Sequence, residues 1–310
     1  MTRVFGADGR LLHDPVTGLT HLAPAPYTRG RHHLDAAAVT ALPPAVPAHL
    51  DRDMPVSICW SPIVRCNLAC PQCLDDASVR EAGPAQRART ASILADADIL
   101  GVDISGGEPL LLRDLPDLAH TIAGGRRAAV SVTTNGWHLA RRAAELAPAV
   151  DGIRVSLDGP DTRTHDRIRG DGSFRRAVDG ITAATEAGLT VQIQTVLMAS
   201  TAHRAQEIVD LAAQVGAASV TFLQMLPIGS GAALTGQMLT DERATRVLDG
   251  LTVPASLRVR LRARNAAAGF TVVRADSHVW RNDPTAHHIT GLRPLTGVAD
   301  LALTGRDGSA

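Results

Sequence analysis

The sequence contains no lysine, and all 31 of its basic residues are arginine. This absence excludes Schiff-base catalysis and the lysine-bearing phosphate loop of many nucleotide-binding proteins. The 31 arginines balance 31 acidic residues, so no net field attracts nucleic acid or an acidic membrane surface, and we expect neither as a partner. No apolar run approaches the length that spans a bilayer, and Met1–Arg10 lacks the apolar core of a signal peptide.

Cysteine is scarce, with four residues in 310 and none after Cys73. Three of the four lie within eight residues, in the run Cys66-Asn67-Leu68-Ala69-Cys70-Pro71-Gln72-Cys73. This clustering does not suit a disulfide framework, and free thiols suit a reducing compartment. We therefore expect a cytoplasmic location.

Three clustered thiolates indicate a soft metal centre, such as zinc, copper(I) or an iron–sulfur cluster. A closed structural zinc site needs four protein ligands, often as two Cys-x2-Cys pairs, and no second pair follows. Cys59 lies in a predicted strand and is a poor fourth ligand. A four-iron cluster held by Cys66, Cys70 and Cys73 would keep one iron open for another molecule. These residues alone leave both a zinc site and an open cluster possible.

Short apolar segments alternate with helical ones through the middle of the chain. The predicted strands are residues 55–60, 102–105, 128–133, 152–157, 190–198 and 219–225, and the predicted helices are residues 84–98, 113–123, 138–147, 173–187 and 202–215. Such alternation predicts an α/β fold with a parallel sheet and right-handed crossovers. After a helix start at Thr240, we expect the alternation to stop.

The distinctive motifs each follow the end of a predicted strand. After the cysteine run come Ser105-Gly106-Gly107-Glu108-Pro109, Thr133-Thr134-Asn135-Gly136 and Ser156-Leu157-Asp158-Gly159-Pro160. Barrels and open α/β sheets build their sites at the carboxyl ends of their strands. The sequence therefore predicts one site at that edge of the sheet.

Cys66-x3-Cys70-x2-Cys73, followed in this order by the three other motifs, resembles the radical S-adenosylmethionine (SAM) enzyme superfamily over about residues 55–230. The resemblance implies a partial (β/α)6 TIM-like barrel. It also implies one [4Fe–4S] cluster on the three cysteines and reductive cleavage of SAM. The resulting 5′-deoxyadenosyl radical would abstract a hydrogen atom from a substrate, with flavodoxin or ferredoxin as the reductant.

The resemblance also implies a SAM site built from residues of the three motifs after the cysteine run and of one later loop. Its candidate residues are Gly106, Gly107, Glu108, Pro109, Asn135, Ser156, Asp158 and Leu226. Paired glycines let a ligand approach the backbone closely, although Gly-Gly-Glu-Pro alone is only a turn before a helix. Gln72 occupies a position that is commonly aromatic in the family, and we expect Arg169 to brace its loop. Cys59 is either a buried strand residue or a hydrogen donor to the substrate.

The ends of the chain lie outside the predicted barrel of residues 55–235. Residues 1–54 are an expected N-terminal extension, with a hairpin that turns at Gly6–Gly9. Residues 236–310 resemble the SPASM and twitch extensions of the superfamily, with predicted strands at residues 257–261, 270–274 and 278–281, the last two forming a hairpin, followed by Ile289–Leu292. Those extensions bind auxiliary clusters through cysteines. None is present here, and Asn282 stands about where a ligand would be expected.

The segment from Ser156 to Leu189 resembles the branch that modifies ribosomally made peptides. A peptide is therefore the first substrate hypothesis, in natural-product biosynthesis. A small-molecule tailoring enzyme, acting on a nucleoside, sugar or amino acid, is the alternative within the same chemistry. A non-catalytic scaffold that binds a metal is the alternative from another class.

Overall fold

The computed structural model describes residues 1–46, 52–74, 79–264, 270–281 and 291–303. Its strands are β1 Thr2–His13, β2 Thr20–Asp35, β3 Ser57–Trp60, β4 Gly101–Ile104, β5 Ala129–Thr134, β6 Gly152–Ser156, β7 Val191–Leu197, β8 Ser219–Gln224, β9 Arg258–Arg262, β10 Thr271–Val273, β11 His278–Arg281 and β12 Arg293–Pro294. Its α-helices are α1 Ala36–Thr40, α2 Pro84–Asp96, α3 Leu115–Gly124, α4 Leu139–Leu146, α5 Thr162–Arg169, α6 Ser173–Glu186, α7 Ala205–Gln214 and α8 Asp241–Asp249.

A ten-stranded sheet forms the centre of the fold, in the order β12-β11-β10-β3-β4-β5-β6-β7-β8-β9. The strands from β10 through β3 to β9 pair in parallel, and β11 and β12 are antiparallel at one edge. Helices connect β3 to β8 in sequence and bury their apolar faces on the outside of the sheet. The predicted α/β class and six-stranded barrel core are confirmed.

The prediction that the alternation of helices and strands stops after Thr240 was wrong. Thr240 caps α8 by accepting from the Arg243 backbone N–H, and the chain then forms β9, which pairs in parallel with β8. β10 pairs in parallel with β3 at the opposite edge and forms the predicted hairpin with β11. Local patterns identified these strands but carried no signal for their parallel partners, which are distant in sequence.

The N-terminal hairpin is longer than predicted, and its turn lies elsewhere. β1 and β2 pair from Thr2 with Asp35 to His13 with Thr20, so residues 14–19 form the turn, and the prediction of a turn at Gly6–Gly9 was wrong. Gly6 instead allows close packing, since a Cβ there would overlap the Leu100 carbonyl. Gly9 has φ +54° where the strand register shifts, which is typical of a bulge.

The turn of this hairpin closes the amino end of the barrel. Arg154 of β6 donates from Nε to the Val16 carbonyl at 3.0 Å and from Nη2 to the Pro15 carbonyl at 2.6 Å. Arg260 of β9 donates to the Thr17 carbonyl. Because the turn contacts strands that are not neighbours in the sheet, the sheet must curve around it.

The interior of the barrel is polar. Asp103 of β4 accepts from Ser131 Oγ at 2.8 Å and Thr133 Oγ1 at 2.9 Å, and its carboxylate lies 3.1 Å from Arg154 Nη1. Successive strand residues face opposite sides, so the same strands place apolar residues such as Val130 and Val132 against the helices. In the part of the chain that the structure describes, no helix is long and apolar enough to cross a membrane.

The buried ring of His13 should make stability depend on pH. His13 is 2% exposed and packs on Gly101, and burial lowers its pKa to about 4. Below an unfolded pKa of about 6.5, the unfolded chain therefore takes up a proton that the folded chain does not. The His13 contribution to the unfolding free energy should be complete above pH 6.5 and fall by roughly 3 kcal/mol as the pH drops to about 4.

Urea denaturation of wild type and His13→Gln between pH 7 and pH 4 measures this contribution, and the variant should lose less stability over that range. His120→Gln, at an exposed position of α3, is the control and should follow wild type. Identical pH profiles for His13→Gln and wild type would contradict the assignment.

Candidate functional site

A cavity of about 310 Å³ lies at the carboxyl ends of the parallel strands, which is within the size range of small-molecule sites. The loops after β3, β4, β5, β6 and β8 all contribute to it. Residues from the predicted site that line it are Cys59, Cys66, Cys70, Cys73, Gly106, Gly107, Asn135, Ser156 and Leu226. The structure therefore gathers most of the candidate residues at one edge of the sheet.

The cysteine loop is fixed on both sides by hydrogen bonds. Glu81 Oε1 accepts from the backbone N–H groups of Val64 at 2.9 Å and Arg65 at 2.7 Å, just before Cys66. At the far end, the Cys73 carbonyl accepts from the Gly231 N–H at 3.3 Å. The loop is thus attached to the protein before its first thiol and after its last.

The thiols of Cys66, Cys70 and Cys73 are the candidate metal ligands of this site. Partial burial raises the pKa of both Cys66 and Cys70, that of Cys70 to about 11, so a metal centre would have to displace protons from these thiols. Among the described residues, no three Cys, His, Asp or Glu side chains are arranged to hold one metal ion. A four-iron cluster takes one cysteine per iron, so its ligands lie farther apart than those of a single zinc ion.

The glycine pair is required by the cysteine loop itself. A Cβ on Gly107 would overlap the carbonyl oxygens of Val64 and Arg65, and a Cβ on Gly106 would overlap that of Ile63. Gly106 also has φ +114°, which residues with a side chain rarely adopt. The Gly107 N–H donates to the Ile63 carbonyl at 2.8 Å. These glycines therefore hold the cysteine loop against the end of β4 while also lining the cavity.

Glu108 and Pro109 are buried beneath the site and are not among the described residues that line the cavity. Glu108 is 0% exposed and accepts from the Leu110 N–H at 2.9 Å, Thr134 Oγ1 at 2.7 Å and the Asn135 N–H at 2.8 Å. Burial raises the pKa of Glu108, and these donors oppose that rise. Its carboxylate thus joins the loops after β4 and β5.

Asp158 is also 0% exposed, and its oxygens are occupied by protein donors. It accepts from Arg169 Nε at 2.6 Å, Gln72 Nε2 at 2.7 Å and the Val196 N–H at 2.7 Å. Arg169 therefore braces its loop, as expected, and it also lines the cavity. Gln72 connects the cysteine loop to this buried ion pair, a role that the sequence pattern did not reveal.

Cys59 stands apart from the three clustered thiols. Its Sγ lies 3.0 Å from Ser105 Oγ on the wall of the cavity. Burial raises the pKa of Cys59 to about 11, so the thiol keeps its proton at neutral pH.

Sequence reasoning missed the contribution of the β10–β11 hairpin. Phe270, Val272, Arg274 and Trp280 line the cavity, and the rings of Phe270 and Trp280 meet edge to face with centroids 5.8 Å apart. Two of the few aromatic residues in the chain thus form an apolar wall with Leu226. The scarcity of aromatics was a usable signal, but the hairpin was assigned to a remote extension. Asn282 and the start of Ile289–Leu292 lie outside the described residues.

Gly107→Ala should destabilise the protein, because the added methyl group meets backbone carbonyls that cannot rotate away. We expect the unfolding free energy to fall by about 1–3 kcal/mol, as for other overpacked sites. Urea denaturation measures this loss. Gly124→Ala, at the end of α3 with nothing within 4 Å of the new Cβ, is the control and should be neutral or stabilising. Equal stability of the two variants would refute the packing argument.

Asp158→Asn should leave the buried Arg169 guanidinium without its counter-charge. Removing one partner of a buried ion pair costs about 3–5 kcal/mol, and thermal and chemical denaturation should both detect this loss. The exposed pair Arg175–Asp179, at 3.8 Å, provides the comparison, and Asp179→Asn should cost less than about 0.5 kcal/mol. A similarly small cost for Asp158→Asn would mean that the pair contributes little to stability.

Comparison with known families places the cysteine run and the three motifs within a recognised domain. The family model of the radical SAM superfamily matches residues 60–212, which include the cysteine run and the three following motifs.

Relatives of this chain include two mycofactocin maturases. The chain is 28% identical over 260 residues to MftC of Mycolicibacterium smegmatis, covering 82% of this chain and 60% of that protein. It is 30% identical over 185 residues to MftC of Mycobacterium tuberculosis, covering 58% of this chain and 47% of that protein. The chain thus spans about half to three fifths of the length of these relatives.

Solved structures share the fold. SuiB of Streptococcus suis bound to S-adenosylmethionine aligns with a TM-score of 0.60 at 17% identity, covering 73% of this chain and 60% of that chain. SuiB bound to its precursor peptide SuiA aligns with a TM-score of 0.61 at 14% identity, covering 78% of this chain and 62% of that chain. Native anSMEcpe with bound AdoMet gives 0.56 at 18% identity, covering 75% of each chain.

Proposed function

Because the chain belongs to the radical SAM superfamily, we propose that it is an enzyme that binds a [4Fe–4S] cluster through Cys66, Cys70 and Cys73 and binds SAM beside it. One observation carries the proposal: all three cysteines and the Gly106–Gly107 turn line a single cavity of about 310 Å³. The cysteine loop lies directly on that turn. A molecule bound to an open iron would therefore contact the exposed backbone of the two glycines.

When bound, a cluster with an open iron supplies the electron that cleaves SAM to methionine and a 5′-deoxyadenosyl radical, which abstracts a hydrogen atom from the substrate. The chain provides the surroundings of that reaction. The Ser156 hydroxyl on the cavity wall can bond a polar group of SAM, and Leu226 offers an apolar surface to the adenine ring. Phe270 and Trp280 give the cavity an apolar surface on the hairpin side.

Glu108, Pro109 and Asp158 enter this proposal as positioning residues. Glu108 and Asp158 have protein donors on both carboxylate oxygens, and Pro109 is buried in the turn behind the glycines. They act by holding the loops that carry the ligands. Cys59 enters as a protonated thiol that could return a hydrogen atom to a substrate radical.

The substrate class that we propose is a ribosomally made peptide. The maturases named above are relatives in sequence, and SuiB was solved with its precursor peptide. In this chain the cavity continues from the cysteines to apolar side chains that include Ile228 and Val272, which suit a peptide side chain. A small flavodoxin or ferredoxin is the proposed reductant. The proposed location is cytoplasmic, because a reducing compartment keeps the clustered cysteines from forming disulfides.

Replacement of Cys70 by alanine tests the cluster assignment. Wild-type protein reconstituted without oxygen should bind about four irons and release 5′-deoxyadenosine when given SAM and dithionite. Cys70→Ala should lose both properties, because one iron loses its protein ligand. Cys59→Ala, which removes a thiol outside the run, should keep the iron. Zinc binding without 5′-deoxyadenosine in wild-type protein would favour the scaffold alternative.

The substrate class is tested with extracts of the host grown on deuterated medium. Hydrogen abstraction transfers deuterium to 5′-deoxyadenosine, which mass spectrometry detects. We expect transfer from the peptide fraction and its loss after protease treatment of that fraction. Transfer that survives protease and follows the small-molecule fraction would overturn the peptide proposal and leave the cofactor chemistry intact.

A further inference from the structure

Asn135 reaches from the end of β5 to the cysteine loop, and we propose that its side-chain amide donates a hydrogen bond to the Cys66 thiolate and raises the reduction potential of the cluster. This inference rests on the proposed function, because it requires the cluster on Cys66, Cys70 and Cys73. It gives Asn135 a role different from the SAM contact that the sequence resemblance implies.

The direction of the Asn135 amide is fixed by its neighbours. Asn135 Oδ1 accepts from the Trp137 backbone N–H at 2.9 Å, a group that can only donate. The NH₂ group must therefore face the cysteine loop. There Nδ2 lies 3.7 Å from Cys66 Sγ and 3.0 Å from Asn67 Oδ1, so each of its two hydrogens has an acceptor.

The backbone beneath this side chain is equally constrained. The Asn135 N–H donates to Glu108 Oε2 at 2.8 Å, and the neighbouring Thr134 hydroxyl donates to Glu108 Oε1 at 2.7 Å. Asn135 itself is only 7% exposed. The backbone of Asn135 is thus fixed at Glu108, and its side-chain amide cannot turn away from Cys66 without breaking the bond that Oδ1 accepts from the Trp137 N–H. The donor is therefore in place before any metal binds.

Cys66 is distinguished from the other two ligands by this contact. Its Sγ also accepts from the Leu68 backbone N–H at 3.4 Å, so two N–H groups converge on one sulfur. Across the described ranges, Asn135 is the one side chain that donates a hydrogen bond to any of the three clustered thiols.

Hydrogen bonds to ligand sulfurs are among the factors that set cluster potentials. A donor stabilises the more negative, reduced cluster more than the oxidised one, and it therefore makes reduction easier. Asn135 is 7% exposed, so this donor lies in surroundings less polar than bulk water, where a hydrogen bond is electrostatically stronger.

The test is an EPR-monitored redox titration of reconstituted protein without SAM or substrate. Asn135→Ala should retain its iron and shift the midpoint potential to a more negative value than wild type. Ser105→Ala, which removes a hydroxyl that bonds Cys59 rather than a cluster ligand, should leave the potential unchanged. An iron-replete Asn135→Ala protein with the wild-type potential would overturn the inference.

A measurement on protein with an intact Asn135 covers the case in which Asn135→Ala loses its cluster. Protein labelled with ¹⁵N at the asparagine side-chain amide should show coupling of the reduced cluster to that nitrogen by pulsed EPR, and the coupling should persist in Asn67→Ala. Absence of the coupling would also overturn the inference. Wild-type protein that forms no four-iron cluster would instead count against the proposed function.

Discussion

The contact of the cysteine loop with the turn after β4 is the constraint on which the rest of the site depends. The backbone of residues 63–65 lies so close to Gly106 and Gly107 that neither position has room for a Cβ. Two backbone hydrogen bonds join the segments, from Gly107 to Ile63 and from Glu108 to Arg65. The position of Cys66 therefore follows from the end of a buried strand, even though the cysteine itself is exposed.

One buried carboxylate, that of Glu108, connects the glycine turn to the loop after β5. Glu108 leaves the glycine turn and accepts hydrogen bonds from Thr134 and Asn135, and Asn135 returns to Cys66. These contacts form a closed ring through the cysteine loop, the turn after β4 and the loop after β5. A buried carboxylate requires several hydrogen-bond donors. The motifs Gly-Gly-Glu-Pro and Thr-Thr-Asn-Gly are therefore parts of one hydrogen-bond network rather than two separate motifs.

How far the sequence could predict this arrangement depends on the range of the interactions. The alternation of strands and helices is a local pattern, and it identified β3 to β8 and the edge at which the site lies. The sequence pattern placed the turn of the N-terminal hairpin wrongly because it assigned Gly6 to a turn. Gly6 instead packs on the Leu100 backbone, and residues near Gly6 in the sequence give no information about that contact. The parallel pairing of β10 with β3 was missed for the same reason, and with it the aromatic wall of the cavity.

Motif resemblance identified the cysteines but could not separate residues that line the cavity from residues that hold it. Glu108 and Asp158 belong to the same motifs as Gly107 and Ser156, yet both carboxylates point into the protein and are fully satisfied there. The distinction depends on burial, which a motif does not encode. A carboxylate needs donors wherever it is buried. Glu108 finds them in its own turn and at the end of β5, and Asp158 finds them in the cysteine loop, α5 and β7.

Gln72 illustrates how a departure from the family pattern is accommodated. Its amide donates to Asp158 at 2.7 Å, and Asp158 also binds Arg169, so the residue before Cys73 is tied to β6 through a charged group rather than by aromatic packing. Gln72 is 4% exposed, and its Oε1 has no hydrogen-bond partner in the described part of the chain. The opposite amide orientation would place that carbonyl oxygen against the Asp158 carboxylate. Repulsion between the two oxygens therefore selects the observed orientation. In this orientation Gln72 Oε1 is unpaired, but the buried Asp158 carboxylate gains a hydrogen-bond donor.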